Sequence, residues 1–227
     1  MNSAPSTIVF DVNETLSDMA PMAARFAEVG APAGLAKLWF STLLRDGFAL
    51  AAAGDNGPFA EIGAEVLHGL LSSKDLNRDP GQAVEYIMAG MASLGLHADV
   101  PAGVRALREA GYRLITLTNG STDLAEKLFE TAGIRDRFDA LLSVEDAPAW
   151  KPAPASYAYA AEASGTETSQ MLLIAVHPWD IHGAAKAGLQ TAWINRTGSS
   201  YPSYFSSPDH TVTVLTELPA VLANTRQ

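Results

Sequence analysis

The sequence of 227 residues contains no cysteine. The protein therefore has no disulfide bonds, no thiolate-bound zinc and no cysteine nucleophile. The lack of cysteine leaves the redox compartment undecided, although no feature of the sequence argues for export. Catalytic chemistry, if there is any, has to come from other side chains.

Positive charge is also scarce, because 15 Lys and Arg residues face 25 Asp and Glu residues and the formal net charge is −10. A chain with this charge has no general positive field to attract phosphate backbones. We therefore predict that the protein does not bind nucleic acid. An anionic substrate would need positive side chains placed locally.

Long apolar runs are missing as well. The longest, around "GFALAAAG", is far shorter than the roughly 20 residues that span a bilayer. The N-terminus lacks the basic region and apolar block of a signal peptide. We expect a cytoplasmic protein that does not associate with membranes.

The residues that are present predict an α/β fold. Hydrophobic residues make up 48% and charged residues 18%, which is typical of a soluble globular enzyme. Short apolar segments bounded by turn residues are typical of strands buried on both faces of a parallel sheet. These segments are residues 7–10, 112–119, 139–144, 171–176 and 191–195, with 210–215 as a candidate last strand. Helical patterns lie between them, one of them with Asp123 and Glu126 as its predicted N-terminal cap. The alternation predicts a doubly wound parallel sheet.

Residues 17–97 interrupt this alternation. They are rich in Ala and Leu at helical spacing and contain no strand candidate. We predict a helical cap subdomain at 17–97, inserted into a core formed by 1–16 and 98–227.

Polar side chains cluster where the predicted strands end, and in an open parallel sheet ligands bind at that edge. A single strand-end aspartate such as Asp11 is often only a turn residue. Several such groups together indicate an active site, and they are Asp11, Asn13, Thr15, Thr118, Asn119, Gly120, Lys151, His177, Trp179 and Asp180. A carboxylate nucleophile needs a cation, hydrogen-bond donors and a means of activating water. Lys151 can be the cation, Thr118 and Asn119 can be donors, and Asp180 can orient Lys151 or act as the base.

Four motifs, "FDVNETL", "LTNGS", "KPAPASY" and "HPWD", occur in this order. Together they resemble the haloacid dehalogenase superfamily, and more closely its type II L-2-haloacid dehalogenases. The resemblance spans essentially the whole chain. It implies a Rossmann-like core with a helical cap, a cytoplasmic homodimer, and inverting displacement of halide from a small anionic substrate by the aspartate without a metal or other cofactor.

The resemblance also implies roles for individual residues. Asp11 matches the nucleophile, Thr15 the hydroxyl that contacts it, and Thr118 the family serine that holds the substrate carboxylate. The remaining matches are Asn119, Lys151, Tyr157, Trp179, Asp180 and, as an apolar pocket residue from the cap, Phe59.

Three positions depart from the family pattern. Phe40 follows Trp39 where the family has an arginine that helps receive the halide, and Arg45, about 140° further around the helix, does not obviously replace it. Ala175 replaces a family serine. His177 replaces an asparagine near the hydrolytic water, and it could bond water, act as a base because its ordinary pKa is near neutral, or only fill the same volume.

Two other functions stay open at this point. Most members of the superfamily are magnesium-dependent phosphatases. Their first motif resembles D-x-D, in which the second aspartate protonates the leaving group. Asn13 stands at that position and cannot donate a carboxyl proton, whereas a halide leaves unprotonated, so Asn13 favours carbon–halogen chemistry. A weak Mg²⁺ site would be expected if the phosphatase alternative holds. The third alternative is a protein of this fold whose dehalogenase activity is altered or lost because of Phe40.

Overall fold

The fold is an α/β fold built on a six-stranded, entirely parallel sheet. The computed structural model describes residues 4–224. The strands are β1 (Thr7–Phe10), β2 (Arg113–Thr118), β3 (Ala140–Ser143), β4 (Met171–Ala175), β5 (Gln190–Ile194) and β6 (His210–Val212). Their order across the sheet is β3-β2-β1-β4-β5-β6. The predicted doubly wound parallel sheet is thereby confirmed.

The helices between β1 and β2 are α1 (Met22–Glu28), α2 (Leu35–Ala53), α3 (Phe59–Leu71), α4 (Pro80–Met91) and α5 (Val100–Glu109). The later helices are α6 (Thr122–Thr131), α7 (Pro154–Ser164), α8 (Pro178–Lys186) and α9 (Leu218–Asn224), and short 3₁₀ turns occupy Arg135–Arg137, Val144–Asp146, Thr168–Gln170 and Leu215–Glu217. Within residues 4–224, none of the helices combines the length and the apolar character needed to cross a bilayer.

Strand β1 lies at the centre of the sheet, between β2 and β4, and all four of its residues are buried. Successive side chains of a strand point to opposite faces. Val9 accordingly belongs to one hydrophobic cluster and Ile8 and Phe10 belong to the other. Because β1 is packed on both faces, its C-terminal end is held in place, and Asp11 follows it directly.

Helices α1 to α4 pack mainly against one another, with α2 packed on α3 and α3 packed on α4. The Trp39 indole nitrogen of α2 donates to the Gly63 carbonyl of α3 at 2.9 Å, which ties these helices together. An antiparallel bridge between Ser17 and Leu96 joins the segment that follows β1 to the segment that follows α4. The helical layer therefore enters and exits beside the end of β1.

The predicted N-terminal cap of α6 is wrong. The capping side chain is Ser121, whose hydroxyl accepts from the Leu124 backbone N–H at 3.4 Å, and Asp123 lies inside the first turn. Serine and aspartate are both good capping residues. Here β2 ends at Thr118, so the chain turns into the helix two residues earlier than the sequence pattern indicates.

Candidate active site

Asp11 lies directly after β1, with only 3% of its surface exposed. Lys151 donates to its Oδ1 atom from Nζ at 2.9 Å. Its Oδ2 atom accepts from the Thr15 hydroxyl at 2.6 Å and bonds Nδ1 of His177 at 3.1 Å. Thr15 is itself held, because its Oγ1 atom accepts from the Val176 N–H at 3.0 Å. Groups from three loops therefore fix both oxygens of the carboxylate.

Lys151 connects two buried carboxylates. Its Nζ atom also donates to Oδ2 of Asp180 at 2.6 Å, and the Tyr157 hydroxyl donates to Oδ1 of Asp180 at 2.6 Å. The side chains of Lys151 and Asp180 are completely buried. A buried charge is tolerated only when it is paired and hydrogen-bonded, and each of these groups meets that condition. Asp180 thus contacts Lys151 directly, and its role in orienting that side chain stays a prediction.

The protonation states of this cluster follow from the competition between burial and pairing. Burial by itself would raise the pKa of Asp11, but Lys151 and His177 hold it well below its usual value. Burial would lower the pKa of Lys151, but Asp11 and Asp180 raise it. Burial and the nearby Asp11 raise the pKa of Asp180, against the effect of Lys151. Asp11 is therefore ionised at neutral pH, and Asp180 is the more basic carboxylate.

His177 does not keep its expected near-neutral pKa. Burial would lower the pKa, but hydrogen bonds to Asp11 and Glu14 raise it to about 9. Nε2 lies 2.9 Å from Oε2 of Glu14 and Nδ1 faces Asp11, so both ring nitrogens meet carboxylate oxygens. The imidazole is therefore a cation at neutral pH, which does not favour the alternative in which it acts as a base; the role of His177 stays a prediction.

Two residues predicted to bind the substrate, Asn119 and Tyr157, form hydrogen bonds with other residues of the site. The Asn119 side chain donates to the Lys151 carbonyl at 3.2 Å and accepts from the Lys151 N–H at 3.0 Å. The Tyr157 side chain is fully buried, and its hydroxyl bonds Asp180. In this structure Asn119 holds the Lys151 backbone and Tyr157 orients Asp180, so each supports a charged group of the site.

The other predicted contacts line two cavities beside the cluster. A cavity of about 210 Å³ is lined by Thr118, Phe59 and Asn13 among others, and one of about 600 Å³ is lined by Phe40 and His177 among others. The ring centroids of Phe40 and Phe59 are 6.5 Å apart. Phe59 lines the smaller cavity and Phe40 the larger, so this aromatic pair from the helical layer borders both.

Trp179 forms part of an aromatic wall. Its ring stacks on His177 with centroids 4.9 Å apart, contacts Phe48 of α2 edge-on at 4.9 Å, and lies 5.9 Å from Nζ of Lys151. Trp179 therefore lies against both cations of the site.

Sequence reasoning missed Glu14. Its carboxylate bonds His177, and among residues 4–224 it is the one residue other than glycine with a positive φ, at 60°. A left-handed backbone is unusual for glutamate and indicates a functional constraint. The available signal was its position in "FDVNETL", within the loop after the first strand.

Residues 4–224 contain no group of three or more His, Cys, Asp or Glu side chains arranged to bind a metal ion. The space between Asp11 and Asp180 holds the Lys151 ammonium. A parallel sheet with a helical insertion and an ionised aspartate after its central strand defines a class of α/β hydrolytic enzymes that use an aspartate nucleophile.

The comparisons with known proteins agree with this class. A family model described as haloacid dehalogenase-like hydrolase matches residues 5–188. Haloacetate dehalogenase H-2 of Moraxella sp. (strain B) is 31% identical over 222 residues, which is 95% of this chain and 97% of the relative. (S)-2-haloacid dehalogenase of Pseudomonas sp. (strain YL) is 38% identical over 118 residues, covering 52% of this chain and 51% of its own. The chain belongs to the haloacid dehalogenase-like hydrolases.

Solved structures give the same result. A dehalogenase crystallised as an intermediate complex has a TM-score of 0.90 and 27% identity, over 98% of this chain and 99% of its own. An L-2-haloacid dehalogenase has a TM-score of 0.90 and 28% identity, over 97% and 100%. The resemblance seen in the sequence motifs is confirmed, and the enzyme is a hydrolase of this family.

Proposed function

We propose that this protein hydrolyses the carbon–halogen bond of a short (S)-2-haloacid through an ester formed on Asp11. The observation that carries the proposal is the Asp11 carboxylate itself, which is buried, ionised and held at both oxygens at the end of the central strand. Relatives along the whole chain are named as dehalogenases of haloacetate and (S)-2-haloacids. A carboxylate held in this way is ionised and fixed in orientation, which is what attack on a bound substrate requires.

The first step is displacement. Oδ1 of Asp11 has a single donor, Lys151, whereas Oδ2 has two. Oδ1 therefore attacks the carbon, the carbon–halogen bond breaks, and the halide leaves with the bonding electrons. A halide needs no proton, so Asn13 in place of a second acid is sufficient. Thr118, which lines the smaller cavity, holds the substrate carboxylate through its hydroxyl.

The second step is ester hydrolysis. Water attacks Cγ of Asp11, and Asp180, the more basic carboxylate, takes its proton. Collapse of the tetrahedral intermediate breaks the Cγ–Oδ1 bond, and the departing alkoxide oxygen takes the proton back from Asp180, so that a 2-hydroxy acid with inverted configuration is released. The Asp11 carboxyl then loses its remaining proton to water and is again a carboxylate. The hydroxyl oxygen of the product comes from Asp11, and the water oxygen remains in the enzyme.

The remaining features of the proposal rest on the family and not on the geometry of the site. We propose a cytoplasmic homodimer that works without a metal or other cofactor, with residues 17–97 as the cap over the core. The positive charge needed near Asp11 is supplied by Lys151 and His177. Retention of the complete Asp11–Lys151–Asp180 cluster argues against a binding protein that has lost turnover. The phosphatase alternative is not favoured, because its leaving group would need the acid that Asn13 lacks.

The test is halide release from both enantiomers of short 2-haloacids, run beside p-nitrophenyl phosphate with and without Mg²⁺. We expect halide release from the (S) enantiomers alone, abolished in Asp11→Asn and retained in the exposed control Asp75→Asn. A single turnover in ¹⁸O-labelled water should leave the product unlabelled. Metal-dependent phosphate release without halide release, or no activity on either panel, would contradict the proposal.

A further inference from the structure

The displacement step described above does not account for the contact between Glu14 and His177. His177 is nearly buried, with 11% of its side chain exposed, and Glu14 is 44% exposed. Both nitrogens of the ring face carboxylate oxygens, at 3.1 Å to Asp11 and 2.9 Å to Glu14. A carboxylate only accepts hydrogen bonds, so both contacts are made only when each nitrogen carries a hydrogen. The geometry therefore requires an imidazolium, and Glu14 is the second of its two anionic partners.

The backbone of Glu14 is held in place for this contact. Its φ of 60° lies in the left-handed region, which is sterically unfavourable for a residue with a Cβ atom. The His97 ring donates to its carbonyl from Nε2 at 2.9 Å, which fixes the peptide from the opposite side. The unfavourable conformation therefore aims the Glu14 side chain at His177.

We propose that Glu14 is a positioning residue for ester hydrolysis, because it holds the His177 imidazolium against Oδ2 of Asp11. The inference rests on the proposed function. Once Oδ1 is esterified, Oδ2 becomes the carbonyl oxygen, and attack of water places the negative charge on it. The Thr15 hydroxyl and the His177 Nδ1–H both point at that atom. Fixed donors aimed at a developing oxyanion stabilise the transition state strongly.

Other charged groups near His177 do not replace Glu14. Lys151 reaches the histidine only through the opposite oxygen of Asp11. The larger cavity beside the ring is lined by Asp18 from the loop after β1, Lys37 from α2 and Arg196 after β5. Arg196 is already paired with Asp99 at 2.9 Å. The aromatic neighbours of the histidine, on α2 and α8, carry no charge. Glu14 and Asp11 are thus the anions in direct contact with the imidazolium.

The larger cavity gives the pair access to solvent. Glu14 lines this cavity of about 600 Å³, so water and protons reach the outer nitrogen of His177. The imidazolium can therefore lose its outer proton at high pH, after which the Nδ1–H that faces Oδ2 belongs to a neutral ring and no longer carries a positive charge. This predicts an alkaline limb in the turnover of the ester, set by the Glu14–His177 pair.

The experiment compares the wild type with Glu14→Gln, Glu14→Gly and the exposed control Glu130→Gln. Glycine adopts this φ without steric cost, so the Glu14→Gly variant stays folded while it lacks the carboxylate. The pH profile of kcat and the esterified fraction of Asp11, measured by intact-protein mass spectrometry after quenching turnover, are followed with a short 2-haloacid. Both Glu14 variants should move the alkaline limb down by about 1 pH unit or more, lower kcat at least about threefold at pH 8.5, and accumulate the ester.

The control Glu130→Gln should match the wild type in both measurements. An unchanged alkaline limb together with an unchanged ester fraction in a folded Glu14 variant would overturn the inference. The failure of the proposed function is distinguishable, because the wild type would then release no halide and form no ester at all.

Discussion

Two cations hold Asp11, and they do so in different ways. Lys151 is fully buried and shared between Asp11 and Asp180, so its charge is fixed. His177 is shared between Asp11 and the partly exposed Glu14, so its charge can be titrated. The site therefore combines a permanent charge at Oδ1 with a pH-dependent charge at Oδ2.

Replacing Lys151 by methionine should damage stability and activity together. The substitution keeps the length of the side chain but leaves Asp11 and Asp180 buried without their common cation. Removing one partner of a buried ion pair costs about 3–5 kcal/mol. We expect a loss of that size in the unfolding free energy measured with urea, and a fall in kcat of at least about 100-fold.

Lys74→Met, at an exposed position of the helical layer, is the matched control and should change neither quantity. If Lys151→Met were as stable as the control, the ion-pair account of the site would be incorrect.

At the scale of elements, most of the sheet could be predicted because β1 to β5 are short apolar runs buried on both faces. The last strand is shorter than predicted, since β6 ends at Val212 and the chain forms a 3₁₀ turn from Leu215. Helix α5 is not evident from the sequence, because Pro101 and Gly103 obscure its helical pattern. Proline is tolerated in the first turn of a helix, and a Cβ atom on Gly103 would lie only 2.6 Å from the Leu215 side chain.

Trp150 joins the helical layer to the sheet, and Gly47 of α2 permits the contact. The indole donates to the Gly57 carbonyl at 2.9 Å, and a Cβ atom on Gly47 would lie 2.4 Å from the ring. Because Trp150 is fully buried, the ring has no room to yield. Gly47→Ala should therefore lower the unfolding free energy by about 1–3 kcal/mol.

The control for this substitution is Gly69→Ala in α3, where a Cβ atom meets nothing within 4 Å. Alanine at an exposed helical position should stabilise by about 0.5–1 kcal/mol. Thermal melts of the two variants should therefore shift in opposite directions. Equal shifts would show that Trp150 does not limit the space at Gly47.

At the scale of the whole molecule, the site links loops that are far apart in the chain. Lys151 and Asp11 are separated by 140 positions, and His177 and Asp11 by 166. The unfolded chain does not bring these groups together, so His177 has its ordinary pKa of 6.5 when unfolded and about 9 when folded. This difference makes the stability of the fold depend on pH.

The sign follows from the raised pKa of His177. Its contribution to the unfolding free energy, on the order of 3 kcal/mol, is fully present below pH 6.5 and is lost as the pH rises through about 9. The difference in unfolding free energy between the wild type and His177→Gln should therefore be larger at pH 6 than at pH 9.5. Urea unfolding at both pH values measures it. A difference for His177→Gln that did not vary with pH would contradict the shift.

The sequence by itself determined the order of the strands along the chain, the mainly helical segment between β1 and β2, and the polar groups at the strand ends, because apolar runs and helical spacing are local patterns. It did not determine helix α5. The tertiary structure decided the charge of His177, the involvement of Glu14, and the engagement of Asn119 and Tyr157 with Lys151 and Asp180. A pKa and a hydrogen-bond partner depend on which groups meet away from water, and these groups meet only after distant loops converge at one edge of the sheet.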